Sequence, residues 1–90
     1  MSERSIQVTY RKGRPLAAYL HLLHGGRKRS ARTEASADSL LVVDFDASGK
    51  PLGIAITAPR AVTLARLNAL LESLGQPPLS EEDFRPVRAG

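Results

Sequence analysis

Residues 40–56, LLVVDFDASGKPLGIAI, decide the fold that we predict for this chain. The segment DASG at 46–49 has the residue types of a tight turn, and apolar and β-branched residues lie on both sides of it. Asp46 favours the first position of a type I turn, and Gly49 can adopt the positive φ that a three-residue hairpin loop requires. We therefore expect two antiparallel strands, joined by a turn, at the centre of the molecule.

The first of these strands is unusual because residues 40–43, LLVV, are continuously apolar. Strands that expose one face to water normally alternate between apolar and polar residues. We therefore expect both faces of this strand to be covered, one by a helix and the other by a partner chain.

The composition restricts the chain to one small domain, residues 1–90, because 90 residues are too few for two hydrophobic cores. Aromatic residues make up only 4% of the chain, so Leu, Val, Ile and Ala must form the core. The chain has no cysteine, which excludes disulfides and thiolate metal sites. No segment approaches the ~20 apolar residues of a membrane span or has the apolar core of a secretion signal. We therefore expect a cytoplasmic protein that does not contact membranes.

Two further segments precede the hairpin. Residues 6–10 alternate between apolar and polar side chains, which is typical of a half-buried strand. Residues 15–26, PLAAYLHLLHGG, begin with Pro, end with Gly and carry apolar residues at helical spacing, so their local pattern favours a helix. Their length also suits a strand, and periodicity does not decide between the two.

A helix is predicted after the hairpin, over residues 63–75. Leucines recur at 64, 67, 70, 71 and 74, Thr63 has the character of an N-cap, and Gly75 can end the helix. The leucine face is expected to pack against the sheet. Residues 76–90 predict a short turn or helix and a tail, since Ser80 resembles a helix start and Pro86 leaves room for little more than one turn.

Five short segments carry a resemblance to a known family. They are VTY at 8–10, AYL at 18–20, RTE at 32–34, VDFD at 43–46 followed by Gly49, and LGI at 52–54 followed by Ile56. In these segments the chain resembles the domain-of-unknown-function 2283 family of small bacterial proteins, over residues 6–56. The chain departs from the family pattern at Arg11, at the Arg14-Pro15-Leu16 segment and at Ala55, where the family usually has acidic residues.

The resemblance implies a β-meander of about four strands over residues 6–56, in which residues 16–23 form a strand rather than a helix. Some members of the family look like small partners encoded beside toxin-like proteins, which implies an antitoxin-type binding role. We therefore expect an α+β fold, a small antiparallel β-meander of about four strands with a C-terminal helix packed on one face.

The residues that could carry chemistry do not form a recognisable catalytic or metal site. Residues 44–49, DFDASG, match the opening of a calcium-binding EF-hand loop, but position 12 of that loop needs a bidentate Glu and is Ala55 here. His21 and His24 could share one face of a helix, but the chain has no cysteine or further histidine to complete a site with them. We therefore expect no catalytic residue, no metal and no cofactor.

Positive charge is concentrated in the first third of the chain. Residues 1–34 contain eight Lys and Arg against two Glu, a net charge of +6, whereas residues 35–90 contain five against seven, a net charge of −2. Residues 25–30, GGRKRS, predict a flexible basic loop. The basic turn RKGR at 11–14 would join it if the two loops lie at the same end of the sheet. These charges could contact nucleic-acid phosphates or an acidic protein surface, or they could only be solvated. The candidate contact residues are Arg27, Lys28, Arg29 and Arg32.

The function that we expect is a non-enzymatic protein-interaction module. Small cores often gain stability by self-association, and a homo-oligomer would hide the second apolar face or the edge of the sheet. A cognate protein partner and an antitoxin-type role are narrower versions of this hypothesis. The alternative is a nucleic-acid-binding protein that uses the basic loop.

Overall fold

A computed structural model of the chain describes residues 5–22 and 30–88, and these residues form five strands, two α-helices and one 3-10 helix. The elements are β1 (Ser5–Arg11), β2 (Arg14–His21), β3 (Arg32–Ala35), β4 (Leu41–Phe45), β5 (Pro51–Ile56), the 3-10 helix (Pro59–Ala61), α1 (Leu64–Ser73) and α2 (Glu81–Arg88). The α+β class, the antiparallel sheet and the helix packed on it are therefore confirmed.

The strand order in the sheet is β1-β2-β5-β4-β3, and every neighbouring pair is antiparallel. Strands β3, β4 and β5 form a meander, as predicted, but β2 pairs with β5 rather than with β3. Ala18 lies opposite Ile56 and Leu20 opposite Ile54. This order places β5 at the centre of the sheet, between β2 and β4.

The segment with the ambiguous pattern is a strand, β2, as the resemblance implies and against its local helical spacing. Ala18, Leu20 and Leu22 are buried, whereas Tyr19 and His21 between them are half-buried. Pairing with β1 on one side and β5 on the other provides hydrogen bonds and apolar contacts that outweigh the local preference.

The turn between β4 and β5 is held by the carboxylate of Asp46, which is only 5% exposed. Its Oδ1 atom accepts hydrogen bonds from the backbone N–H of Ser48 at 2.9 Å, from the Ser48 hydroxyl at 2.7 Å and from the backbone N–H of Lys50 at 2.9 Å. Gly49 has a φ of 90°, a conformation that favours glycine. The predicted hairpin turn is confirmed, and Asp46 acts as its structural staple.

Burial along β4 alternates within this single chain, so only one face of the strand is covered by the chain itself. Leu41, Val43 and Phe45 are buried under the helices, whereas Val42 and Asp44 are half-buried on the opposite face. We call the helix-covered face of the sheet the first face and the opposite one the second face. No described element of the chain covers the second face, and its cover by a partner chain stays a prediction.

Helix α1 begins and ends where the sequence predicts. The Thr63 hydroxyl accepts a hydrogen bond from the backbone N–H of Arg66 at 3.1 Å, and Leu67 and Leu71 are fully buried against the sheet. At the other end, Gly75 has a φ of 74° and donates its N–H to Glu72 at 3.0 Å, while Gln76 donates to Leu71 at 2.9 Å. These two bonds form a Schellman motif.

Helix α2 is longer than predicted, since Pro86 does not end it. Ser80 caps the helix, and its hydroxyl accepts from the N–H of Asp83 at 3.1 Å. The missing N–H of Pro86 deprives only one carbonyl of its helical partner, and the burial of Phe84 and Val87, both fully buried, outweighs that loss. Val87, which a helix of little more than one turn would exclude, therefore belongs to the helix.

Candidate functional site

The basic residues predicted to make contacts are only partly within the described chain. Arg27, Lys28 and Arg29 lie outside the described residues. Arg32 lies in β3, where its guanidinium forms an ion pair with Glu34 and is centred 4.2 Å from the centroid of the Phe45 ring. A cation over an aromatic face is attracted by the ring electrons, so Arg32 helps to fix the edge of the sheet.

A different basic cluster lies at the turn between β1 and β2. Lys12 and Gly13 both have positive φ, 55° and 76°, which is typical of the type I′ turn of a two-residue hairpin. This turn places Arg11 opposite Arg14, and the 3-10 helix brings Arg60 to the same place. An open groove of about 460 Å³, the basic groove, is lined by Arg11, Lys12, Arg14, Leu16 and Arg60.

The described residues on either side of the predicted basic loop lie at the opposite end of the sheet from the basic groove. Leu22 and Ala31, which flank that loop at its described limits, bond to Leu52 and Phe45 at 2.9 Å and 2.7 Å. At a rise of about 3.3 Å per residue, the length of β2 separates this end from Arg14 by roughly 23 Å. The described residues therefore do not place the predicted basic loop and residues 11–14 at the same end of the sheet. Arg60 was missed because no local pattern relates it to residues 11–14.

The second face of the sheet carries a polar arrangement that we call the Tyr19 network. The Tyr19 hydroxyl donates to Oδ2 of Asp44 at 2.7 Å, and the Tyr19 ring meets the His21 ring edge to face at 4.7 Å between centroids. The imidazole Nε2 of His21 lies 3.3 Å from Oε1 of Gln7. Gly53 completes the network, because a Cβ atom there would lie 2.3 Å from the Tyr19 hydroxyl oxygen.

This geometry keeps the phenol of Tyr19 in its neutral form. Burial of the ring, the hydrogen bond to Asp44 and the charge of Asp44 together raise the pKa of Tyr19 well above its usual range. A phenol that resists losing its proton is a poor base and a poor nucleophile. The Tyr19 network therefore acts as a structural contact that links β1, β2, β5 and β4 on the second face.

The raised pKa of Tyr19 makes stability depend on pH in alkaline solution. In the unfolded chain the phenol ionises near pH 10, whereas in the folded chain it stays neutral to higher pH. The contribution of Tyr19 to the free energy of unfolding is therefore complete below about pH 10 and is lost as the pH rises beyond it. We expect the free energy of unfolding, measured by urea titration, to fall above about pH 10. Tyr19→Phe should flatten this fall, and an equally steep fall in that variant would contradict the assignment.

The predicted histidine pair is only partly within the described residues. His21 is on β2, and its predicted companion His24 lies outside the described residues. Over residues 5–22 and 30–88, no group of three or more His, Cys, Asp or Glu side chains could hold a metal ion. Within the same residues, no helix has the length and apolar character needed to cross a membrane.

Comparisons with models of protein families, with curated proteins and with solved structures found no match. The resemblance to the domain-of-unknown-function 2283 family therefore stays a prediction.

Proposed function

We propose that this chain is a non-enzymatic protein-interaction module that self-associates through the free edge of β1. The observation that supports this proposal is the difference between the two edges of the sheet. Strand β3 has four residues, all exposed, and carries the charges of Arg32 and Glu34. Strand β1 has seven residues, and the first six, SIQVTY, carry no charge and no proline.

These differences matter because an edge strand presents unpaired N–H and C=O groups to other chains. Short length, charge and proline are the usual features that prevent such pairing, and β3 has the first two of them. Strand β1 pairs with β2 on one side, and no described strand pairs with it on the other. A second copy fits this edge, since two antiparallel β1 strands related by a two-fold axis would form one continuous sheet.

The edge of β1 is also held in place before any partner binds. Ile6 and Val8 pack against the core that contains Phe84 and Val87 of α2. Strand β1 is therefore ordered on its first face, so pairing with a second copy costs less conformational entropy than ordering a flexible segment would.

A narrower proposal concerns a cognate partner. An antitoxin-type role is supported only by the resemblance, and a toxin-like protein encoded beside this chain would be its natural partner. Nucleic-acid binding is the second candidate function, and the basic groove supports it at residues other than those predicted.

A charge on the β1 edge is expected to weaken self-association. Thr9 is exposed at the middle of β1, and Thr9→Lys in both copies would bring two ammonium groups to the new strand pair. We expect the dimer dissociation constant, measured by analytical ultracentrifugation, to rise about ten-fold, or 1.4 kcal/mol.

The matched control is Thr33→Lys, which makes the same change at an exposed position of the other edge strand, β3. It should leave the dissociation constant unchanged. A strict monomer at millimolar concentration would refute self-association, and equal effects of the two variants would refute the β1 edge as its site.

A further inference from the structure

The basic groove brings four positive side chains together. Arg11, Lys12, Arg14 and Arg60 line it, and among the described residues no acidic side chain does. Elsewhere in the described chain, Arg32 pairs with Glu34 and Arg66 with Asp38, but no described acidic side chain forms an ion pair with these four. Like charges that gather without partners repel one another, so the groove would gain from a bound polyanion.

The groove is built on ordered backbone from two separate parts of the chain. Arg11 and Arg14 face each other across the tight turn between β1 and β2. Arg60 is held by the 3-10 helix, in which Pro59 is buried and Ala61 donates to Ala58 at 2.9 Å. The backbone that carries the cations is therefore ordered before an anion binds, which reduces the entropy cost of binding.

Apolar surface accompanies these charges. Tyr10 and Leu16 are the large hydrophobic side chains that are exposed in the described residues, at 50% and 51%. Leu16 lines the groove, whereas Tyr10 does not line it and precedes Arg11 at the end of β1, just after a shift in the register of that strand. Proteins bind single-stranded nucleic acid by stacking bases on aromatic rings and contacting phosphates with cations, and Tyr10 is the exposed ring that is nearest in sequence to the cations of the groove.

We propose that the basic groove binds single-stranded nucleic acid, with Arg11, Lys12, Arg14 and Arg60 at the phosphates and Tyr10 stacked on a base. A duplex fits less well because the groove is formed by a two-residue turn and a three-residue 3-10 helix, with no α-helix to enter a major groove. An acidic peptide would satisfy the cations but would not use the aromatic ring. This proposal does not depend on self-association.

The test is fluorescence anisotropy with labelled thymidine and uridine oligonucleotides of about 12 nucleotides. Four phosphate contacts predict a slope of about −2.8 for the logarithm of affinity against the logarithm of salt concentration. Affinity should therefore fall about 50-fold between about 50 mM and 200 mM salt.

Variants locate the site. Arg60→Ala should weaken binding and reduce the salt slope by about 0.7, because one phosphate contact is lost. Tyr10→Ala should weaken binding about ten-fold with an unchanged slope, because stacking does not depend on charge. Lys50→Ala is the matched control, since Lys50 is exposed in the turn between β4 and β5 at the opposite end of the sheet, and it should bind like the unaltered chain. Circular dichroism should show that each variant is folded.

Four results would overturn the proposal. They are no binding at about 50 mM salt, equal losses in Arg60→Ala and Lys50→Ala, tighter binding of a duplex of the same length, and tighter binding of polyglutamate than of the oligonucleotide. Binding that is lost in Arg60→Ala and kept in Lys50→Ala would support it. Since Arg60 lies outside β1, its loss separates this proposal from the self-association of the β1 edge.

Discussion

Phe84→Ala is expected to lower the free energy of unfolding by about 3–5 kcal/mol, the usual cost of removing a buried aromatic ring. Phe84 is fully buried, and it joins α2 to the core beneath the sheet. Small domains have a total stability of about 5–15 kcal/mol, so the variant should be close to its unfolding threshold at 25 °C. Urea titration followed by circular dichroism measures this change.

The control for Phe84 is its neighbour on the same helix. Arg85 is exposed, so Arg85→Ala should change the free energy of unfolding by less than about 0.5 kcal/mol. A loss below about 1 kcal/mol in Phe84→Ala would show that α2 is not an integral part of the core. The same comparison tests whether Pro86 leaves the helix intact, because a helix that ended before Pro86 would not hold Phe84 and Val87 in place.

Asp46→Ala is expected to lower the free energy of unfolding by about 2–4 kcal/mol. The buried carboxylate accepts three hydrogen bonds within the hairpin turn, from the Ser48 N–H, the Ser48 hydroxyl and the Lys50 N–H. Alanine leaves these donors without their acceptor, and hydrogen bonds to a charged group are stronger than those to a neutral one. The midpoint of thermal unfolding should fall by about 4–8 °C for each kcal/mol of stability that is lost.

Two further substitutions separate the roles of the Asp46 carboxylate. Asp46→Asn keeps one acceptor oxygen, so it should cost less than Asp46→Ala. Ser48→Ala removes only one of the three bonds and should cost about 1 kcal/mol. If Ser48→Ala and Asp46→Ala were equally destabilising, the backbone bonds to Asp46 would not be the main contribution.

The parts of the fold that the sequence predicts are those whose signals are local. The turn at 46–49 is specified by Asp46 and Gly49 within four residues, and α1 by a cap, a leucine repeat and a terminal glycine. Strand β2 is different, because its own spacing favours a helix and its neighbours β1 and β5 make it a strand. Helix α2 extends past Pro86 because Phe84 and Val87 reach a core that no local pattern shows.

The functional surfaces follow the same division. The cations at 11–14 were visible as a basic turn, but Arg60 joins them only through the path of the chain after β5. The hydrogen bond from Tyr19 to Asp44 spans 25 residues of sequence and passes over Gly53 on the strand between them. This hydrogen bond forms because β5 lies between β2 and β4, and the predicted meander did not include that strand order.

The pairing of β2 with β5 divides the sheet into two halves that are each local in sequence. One half is the β1–β2 hairpin and the other is the meander of β3, β4 and β5. Each half can form by closing short loops, whereas their junction joins residue 18 to residue 56 and closes a long loop. Since non-local pairs form later than local ones, we expect the two halves to form first and the β2–β5 junction to complete the sheet.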